Sequence, residues 1–365
     1  MISFTPTDEQ QQLIDVIRRF AVDDLQPAAH AADEGERVPT NLAQTGWAIG
    51  LVPTLIPEEL GGLGELSAVT NALAYEELAY GDLSTALHIL SPSLFAAPIT
   101  LYGTAAQREQ YLPLFLDEIA PPFSAALLEP GIAFNAGALR TTARADGDSI
   151  VLDGEKAYVP LAASAKTLLV YARDSATGDT GAYIVETDAP GVTVGAREAL
   201  MGIRALHTAR LTLNGVRVGA DCKVGGAVGI DYPALLARSR TALAALAVGV
   251  ARQAFEYARD YAKGRVQFGS PIAQKQAIAF MLAEMAIEVD AARLLVWEAA
   301  WTLDQGRDAT RQAYLAREYA DKASLFVTDC AVQVLGGYGF IREYPVERLL
   351  RNARGFTTFD GLAIV

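Results

Sequence analysis

The chain has few of the residues that build metal centres and disulfide frameworks. Its 365 residues include only two cysteines and three histidines. None of these five lies at a spacing typical of metal ligands, so we expect no metal site; they are Cys222, Cys330, His30, His88 and His207. The scarcity of cysteine favours a reducing, cytoplasmic compartment.

Segments that direct a chain to or through a membrane are also missing. The N-terminal run MISFTPTDEQQQ has no basic segment leading into an apolar one, so a secretory signal is not expected. The longest alanine-rich apolar run, residues 242–251, is shorter than the roughly 20 residues needed to cross a bilayer. No G-x-G-x-x-G follows a predicted strand, and no G-x-x-x-x-G-K-[ST] occurs, so the sequence supports neither a Rossmann domain nor a P-loop.

The charge balance is acidic, with 43 Asp and Glu against 30 Lys and Arg. A formal net charge of -13 disfavours nucleic acid and anionic membranes as partners, although a local basic pocket for a phosphorylated ligand is compatible with it. Hydrophobic residues make up 51% of the chain, which is ample for sizeable cores. The length exceeds that of a typical single core, so we expect two or three domains.

Hydrophobic periodicity divides the chain into three parts. The first is helical and starts with a capping box at Thr7. The second has short alternating runs, in which Asp153-Gly154 and Asn214-Gly215 predict hairpins. Apolar stripes at helical spacing return in the third. We predict an N-terminal helical domain over 1–120, a middle antiparallel β domain over 121–228 and a C-terminal helical bundle over 229–365.

The C-terminal run AVQVLGGYGFIREYPVERLLRNARGFTTFDG carries the strongest chemical signal. Gly336, Gly337 and Gly339 predict a bend where the backbone approaches a bulky ligand. Phe359 precedes a lone acid, Asp360. A carboxylate beside aromatic rings is a candidate general base, because apolar surroundings make carboxylates more basic. The alternative is that Asp360 is a solvated acid without a chemical role.

The same run resembles the C-terminal signature of the acyl-CoA dehydrogenase family. A second run, RVQFGSPIAQKQAIAFMLAEMA, begins at Arg265 and resembles another signature of that family. The order of helical, β and helical parts is similar too, so the resemblance covers nearly the whole chain. It implies FAD as cofactor, an acyl-CoA or acyl-carrier thioester as substrate, and electron-transfer flavoprotein as electron acceptor. It also implies a role in lipid metabolism and an oligomer, most simply a homotetramer.

The resemblance assigns one group of residues to the adenosine diphosphate half of FAD. These residues, expected to be shared across a subunit interface, are Arg265, Phe268, Gln276, Gln333, Gly336 and Gly337. A guanidinium pairs bidentately with phosphate, and glycines let the backbone approach it. Without the surrounding motif, Arg265 would be interpreted as a solvated cation at a helix end.

A second group, expected to face the flavin, departs from the family pattern. In LLEPGIAFN, Leu128 replaces a threonine whose hydroxyl commonly contacts the isoalloxazine ring. In GEKAYVPLA, Tyr158 replaces a tryptophan or phenylalanine, and Pro160 replaces a residue that bonds flavin N5. Each lost hydrogen bond costs about 0.5–1.5 kcal/mol, so we expect FAD to bind with altered redox tuning.

Substrate-binding positions depart from the pattern as well. Ala133, Phe134 and Asn135 stand where glycine, serine and aspartate are usual, and Phe134 therefore removes a hydroxyl commonly used near the phosphates. Arg240 is expected at the thioester end of the substrate, and Gly361 beside the base.

The base itself is shorter than usual, because Asp360 replaces a glutamate. Proton transfer needs heavy atoms within about 3 Å, so the loop or the substrate must lie closer. Nitroalkane-oxidising relatives use an aspartate at this position. Other family members carry the base just before the bundle arginine, but here that residue is Ser239, which cannot serve.

Three functions remain open from the sequence. The first is an FAD-dependent acyl-CoA dehydrogenase that desaturates an acyl thioester between Cα and Cβ. The second is a weakly catalytic or non-catalytic subunit that completes the FAD site of a related partner in a hetero-oligomer. The third is a flavin oxidase of the nitroalkane-oxidising type.

Overall fold

The computed structural model describes residues 5–132 and 134–365. Met1–Phe4 lie outside these ranges, as does Ala133, one of the three departures from the glycine-serine-aspartate pattern. The fold has an N-terminal helical domain, a middle β domain and a C-terminal helical bundle, as predicted. The exact domain boundaries stay predictions.

The N-terminal domain is built from helices α1 to α7. The capping box predicted at Thr7 is confirmed, because Thr7 Oγ1 accepts from the Gln10 amide and Gln10 Oε1 accepts from the Thr7 amide. A π-helical segment, Ala21–Leu25, joins the first two helices. The bounds are α1 Asp8–Phe20, α2 Gln26–Gly35, α3 Thr40–Ala48, α4 Ala68–Gly81, α5 Leu83–Leu90, α6 Ser93–Tyr102 and α7 Ala105–Tyr111.

The middle domain was predicted to be antiparallel, but it is a mixed sheet. Its order in the described chain is β1-β4-β2-β3-β7-β6, with β5 on the other side of β4. Most pairs are antiparallel, but β4 runs parallel to both β1 and β2. The bounds are β1 Phe123–Ala126, β2 Thr142–Asp146, β3 Ser149–Pro160, β4 Thr167–Asp174, β5 Thr180–Glu186, β6 Val192–Arg197 and β7 Thr208–Gly219.

The two predicted hairpin turns were wrong. Asp153-Gly154 lies inside β3 and Asn214-Gly215 inside β7, where the two strands pair through a bulge. Asp153 Oδ1 accepts from the Gly215 amide at 2.7 Å, so the aspartate fastens the bulge instead of making a turn. At Gly154, φ is +147° and a Cβ would lie 2.7 Å from Thr141 Cα, which excludes larger residues.

The C-terminal bundle packs around one long buried helix, α8. By length and composition α8 would also suit a membrane span, but 78% of its most apolar window is buried inside the fold, as in a core helix. The bounds are α8 Tyr232–Gly264, α9 Gln276–Asp304, α10 Thr310–Leu335 and α11 Val346–Phe356, with a short ribbon of β8 Val266–Gln267 and β9 Ser270–Pro271 between α8 and α9.

Helices α8 and α4 meet closely at Gly249. A Cβ there would lie 2.3 Å from the backbone oxygen of Glu76, so an added methyl group forces the helices apart. We expect Gly249→Ala to lower the free energy of unfolding by about 1–3 kcal/mol, despite the better helix propensity of alanine. Chemical denaturation measures this loss. Gly264→Ala is the control, because no described atom lies within 4 Å of that Cβ position, and an equal effect in both variants would contradict the packing argument.

Candidate active site

A cavity of about 660 Å³ lies where the β domain meets the bundle. It brings together five of the residues predicted from the sequence for the flavin, the substrate and the base: Leu128, Phe134, Tyr158, Arg240 and Asp360. They come from the loop after β1, from β3, from α8 and from the segment after α11. The fold therefore collects residues that are far apart in the chain around one space.

Asp360 is held on both sides by its neighbours. Phe359 is buried and packs edge-on against Tyr158, with ring centroids 5.0 Å apart. The Gly361 amide donates to Ser239 Oγ at 3.2 Å, and Gly361 has a φ of +73° that favours glycine. The backbone on both sides of Asp360 is thereby fixed at the cavity wall, where the residue is half-buried.

Tyr158 shows local backbone strain at the same cavity. Its φ is +53°, an unusual value for a residue with a side chain. The Tyr158 amide donates to Glu198 Oε2 at 2.9 Å, which stabilises this conformation. Strain of this kind is found at ligand sites, where it aims a side chain at a specific place.

Arg317 on α10 positions the segment that carries Asp360. Its Nη2 donates to the backbone oxygens of Phe356 and Phe359, both at 2.9 Å, and the side chain is buried. The guanidinium also lies over the Phe356 ring, 4.8 Å from the centroid. One buried cation therefore ties α10 to the turn before the candidate base.

A second carboxylate lines this cavity. Asp321 forms an ion pair with Arg317 at 2.9 Å. The pKa of Asp321 is raised to about 7, because burial and the charges of Glu318 and Asp360 outweigh the opposing charge of Arg317. The sequence reasoning missed this group. The available signal was a polar stripe at helical spacing on α10: Tyr314, Arg317, Glu318 and Asp321.

The wall at Leu128 is anchored by a buried ion pair. Lys156 Nζ lies 3.0 Å from Glu129 Oε1, and both side chains are almost fully buried. The amides of Arg140 and Thr141 also donate to Glu129. Burial alone would raise the pKa of this carboxyl, but the charge of Lys156 and these donors lower it to about 2. Glu129 is therefore ionised and holds the loop beside the cavity.

A separate cavity of about 590 Å³ gathers four residues predicted for the adenosine diphosphate half of FAD: Arg265, Phe268, Gly336 and Gly337. Phe268 is 93% exposed and has a left-handed φ of +51°. No described atom lies within 4 Å of a Cβ built on Gly336 or Gly337. A guanidinium, an exposed ring and open glycine backbone fit a phosphate-bearing dinucleotide.

Four predicted residues lie elsewhere. Of the residues that the structure describes, Gln276 and Gln333 are exposed and do not line this second cavity. Pro160 is buried at the end of β3, where it pairs with Thr208, and lies outside the lining of the Asp360 cavity. Gly361 lines a smaller adjoining cavity. Their predicted roles toward FAD and substrate stay predictions.

Family models for the N-terminal, middle and C-terminal domains of acyl-CoA dehydrogenases match residues 7–118, 124–216 and 233–363. The chain belongs to the acyl-CoA dehydrogenase family. The match spans all three parts of the fold and both cavities. It identifies an FAD-dependent enzyme that acts on the CH–CH group of acyl-CoA donors, and it does not favour the partner-subunit or oxidase alternatives.

Individual relatives of this acyl-CoA dehydrogenase agree with the family assignment. The short-chain specific acyl-CoA dehydrogenase of Bos taurus mitochondria is 37% identical, over 97% of this chain and 87% of the relative. A probable acyl-CoA dehydrogenase of Bacillus subtilis, YngJ, is 36% identical over 97% of this chain and 94% of its own length. The structure of butyryl-CoA dehydrogenase from Megasphaera elsdenii has a TM-score of 0.89 and 32% identity, covering 98% of this chain and 96% of that one.

Proposed function

We propose that this acyl-CoA dehydrogenase desaturates a short acyl-CoA, with Asp360 abstracting the proton from Cα. The observation that supports it is the position of Asp360 in one cavity with Arg240 and Tyr158. Bound FAD would supply the acceptor for the hydride lost from Cβ. Arg240, which lies over the Tyr314 ring at 5.7 Å, would bind the thioester end of the substrate.

The size of the acyl group follows from the smaller cavity beside Asp360. Three of its lining residues are chain neighbours of active-site residues: Leu127 adjoins Leu128, Ser239 adjoins Arg240, and Gly361 adjoins Asp360. The rest of the lining is mostly apolar and includes Leu94, Tyr232 and Leu235. Its volume is about 10 Å³, about enough for a single water molecule, so acyl carbons that extend beyond the Asp360 cavity meet this apolar wall and require it to open.

We expect butyryl-CoA to reduce the bound flavin much faster than octanoyl-CoA. Methylene groups that the cavity cannot hold should lower kcat/KM by about tenfold or more, because the cavity wall must open to admit them. Anaerobic bleaching of the yellow protein with butyryl-, octanoyl- and palmitoyl-CoA measures this ranking. Leu235→Ala should narrow the difference by enlarging the cavity. Equal rates with all three thioesters would contradict the size argument.

The same experiment distinguishes the alternatives. A protein that purifies pale and turns yellow only when mixed with a related chain would support the partner-subunit function. A yellow protein that ignores acyl-CoA but consumes oxygen with a nitroalkane would support the oxidase function. Bleaching by acyl-CoA under anaerobic conditions supports the dehydrogenase.

We further propose that the enzyme is a homotetramer. The Arg265 cavity and the Asp360 cavity share no lining residue in the described chain. If one FAD contacts both, a second copy would place the Arg265 cavity of one subunit beside the Asp360 cavity of another. Exposed apolar side chains beside and beyond the Arg265 cavity offer a surface for that contact: Phe268, Phe280, Ile287 and Phe340. By resemblance to the family, we propose electron-transfer flavoprotein as the acceptor and lipid metabolism in the cytoplasm as the setting.

A further inference from the structure

A third large cavity, of about 690 Å³, lies between α2, α8 and the start of α11. In the described chain it shares no lining residue with the Asp360 cavity, and it shares only Tyr261 with the Arg265 cavity. Neither the proposed acyl-CoA chemistry nor the predicted FAD contacts use it. Its wall is polar and includes Tyr80, Gln253 and Arg348.

Arg348 is the unusual member of this wall. The residue is 5% exposed, yet no ion pair includes it and its Nε has no hydrogen-bond partner among the described residues. The buried carboxyl of Asp82 lies close enough to interact electrostatically with Arg348, but it forms no ion pair with Arg348 in the part of the chain described here. Asp82 instead accepts from the amide and hydroxyl of Thr85. A buried guanidinium without a direct ion-pair partner is costly, which favours a bound anion at this place.

The start of helix α11 adds to the attraction for an anion. Pro345 lines the cavity and α11 begins at the next residue, so Arg348 lies in its first turn. Amide groups at a helix N-terminus point outward and favour negative charge. The N-terminus of α11 and the buried guanidinium of Arg348 therefore both attract an anion to this cavity.

The acids around the cavity have other partners or lie at its rim. Glu256 accepts from the Tyr80 hydroxyl at 2.8 Å, and Asp260 pairs with Arg259 and Lys263. Glu343 is exposed. The amide oxygen of Gln253 is buried and has no partner among the described residues, so it offers an acceptor to a ligand that carries a donor.

We propose that this cavity binds a small organic anion whose phosphate or carboxylate pairs with Arg348 and whose hydroxyl or amino group donates to Gln253. The ligand is distinct from FAD and acyl-CoA, and its binding requires neither. Two tyrosine rings along the wall, Tyr257 and Tyr344, would pack against its carbon skeleton.

Calorimetry and thermal unfolding of the FAD-loaded protein without acyl-CoA test the proposal. The probes are glycerol 3-phosphate and lactate, with inorganic phosphate and acetate as minimal forms and sodium chloride at matched ionic strength as reference. We expect at least one phosphate or carboxylate probe to bind and to raise Tm. A response to one headgroup but not the other identifies which anion the site prefers. If no probe exceeds the sodium chloride reference, the proposal is wrong.

Variants locate the binding at Arg348. Arg348→Met should weaken binding by about tenfold or more, because it removes charge-assisted hydrogen bonds. Arg354→Met is the matched control, since Arg354 lies exposed on the same helix outside the described lining of the cavity, and it should bind like the parent. If Arg348→Met does not fold, Arg348→Lys takes its place and should bind more weakly, because lysine lacks the planar fork of arginine. Unchanged affinity in the folded Arg348 variant would overturn the proposal.

Discussion

Replacing Asp360 with asparagine should abolish the bleaching of bound flavin by butyryl-CoA while the protein stays folded and yellow. An amide cannot accept the α-proton at neutral pH, so we expect the rate of flavin reduction to fall by about a hundred- to ten-thousand-fold. Stopped-flow absorbance under anaerobic conditions measures the rate. Flavin content and Tm show whether the site is intact.

Two further variants make this prediction specific. Asp321 is another carboxylate of the same cavity, half-buried and with its pKa raised to about 7, so Asp321→Asn tests whether it, and not Asp360, takes the proton. Loss of bleaching in Asp321→Asn with a normal rate in Asp360→Asn would reverse the assignment.

Asp360→Glu restores the missing methylene. If the rate of flavin reduction stays the same or rises, the pocket has the ordinary shape of the family. If the rate falls, the pocket is adapted to the shorter acid.

Lys156→Met should lower the free energy of unfolding by about 3–5 kcal/mol, the second large effect we expect. The substitution leaves buried Glu129 with only the exposed guanidinium of Arg140, 3.5 Å away, and a buried charge that loses its buried partner is strongly destabilising. Urea unfolding followed by circular dichroism measures the change. Lys166→Met is the control, because that side chain is exposed just before β4 and should change stability by less than about 0.5 kcal/mol.

The ion pair between Lys156 and Glu129 also predicts that the free energy of unfolding depends on pH. The pKa of Glu129 in the folded protein, about 2, lies below its ordinary value of 4.5. Its contribution to stability is therefore present above about pH 4.5 and is lost as the pH falls toward 2. This part of the acid sensitivity should shrink in Lys156→Met. An identical pH profile in parent and variant would contradict the role of the ion pair.

The sequence predicted what depends on local pattern. The capping box at Thr7 follows from spacing within one turn, and Asp360 was found because aromatic residues and a glycine flank it in the chain. The hairpins at Asp153-Gly154 and Asn214-Gly215 failed for the same reason. A short motif does not show whether a glycine serves a turn or a bulge, and the pairing of β3 with β7 decided it.

What the sequence could not predict depends on contacts between distant segments. Lys156 and Glu129 are 27 positions apart, and Arg317 reaches the Phe359 oxygen across 42 positions. Neither pair has a sequence spacing that identifies it. The burial of Arg348 without an ion-pair partner could not be predicted from the sequence either. A helix face that carries lysine or arginine is ordinarily exposed to solvent.

The parallel pairing of β1 with β4 also affects how the chain reaches its native state. Among the described strands β1 pairs with β4 alone, and β2 and β3 lie between the two in the chain. Hairpins such as β4–β5 form from near neighbours, whereas β1 must wait for a distant strand, and such long-range pairing is slow. Phe123 of β1 packs against Phe95 of α6, with ring centroids 4.8 Å apart. β1 thus couples the sheet to the N-terminal helices, so the helical and β domains should complete folding in one shared step.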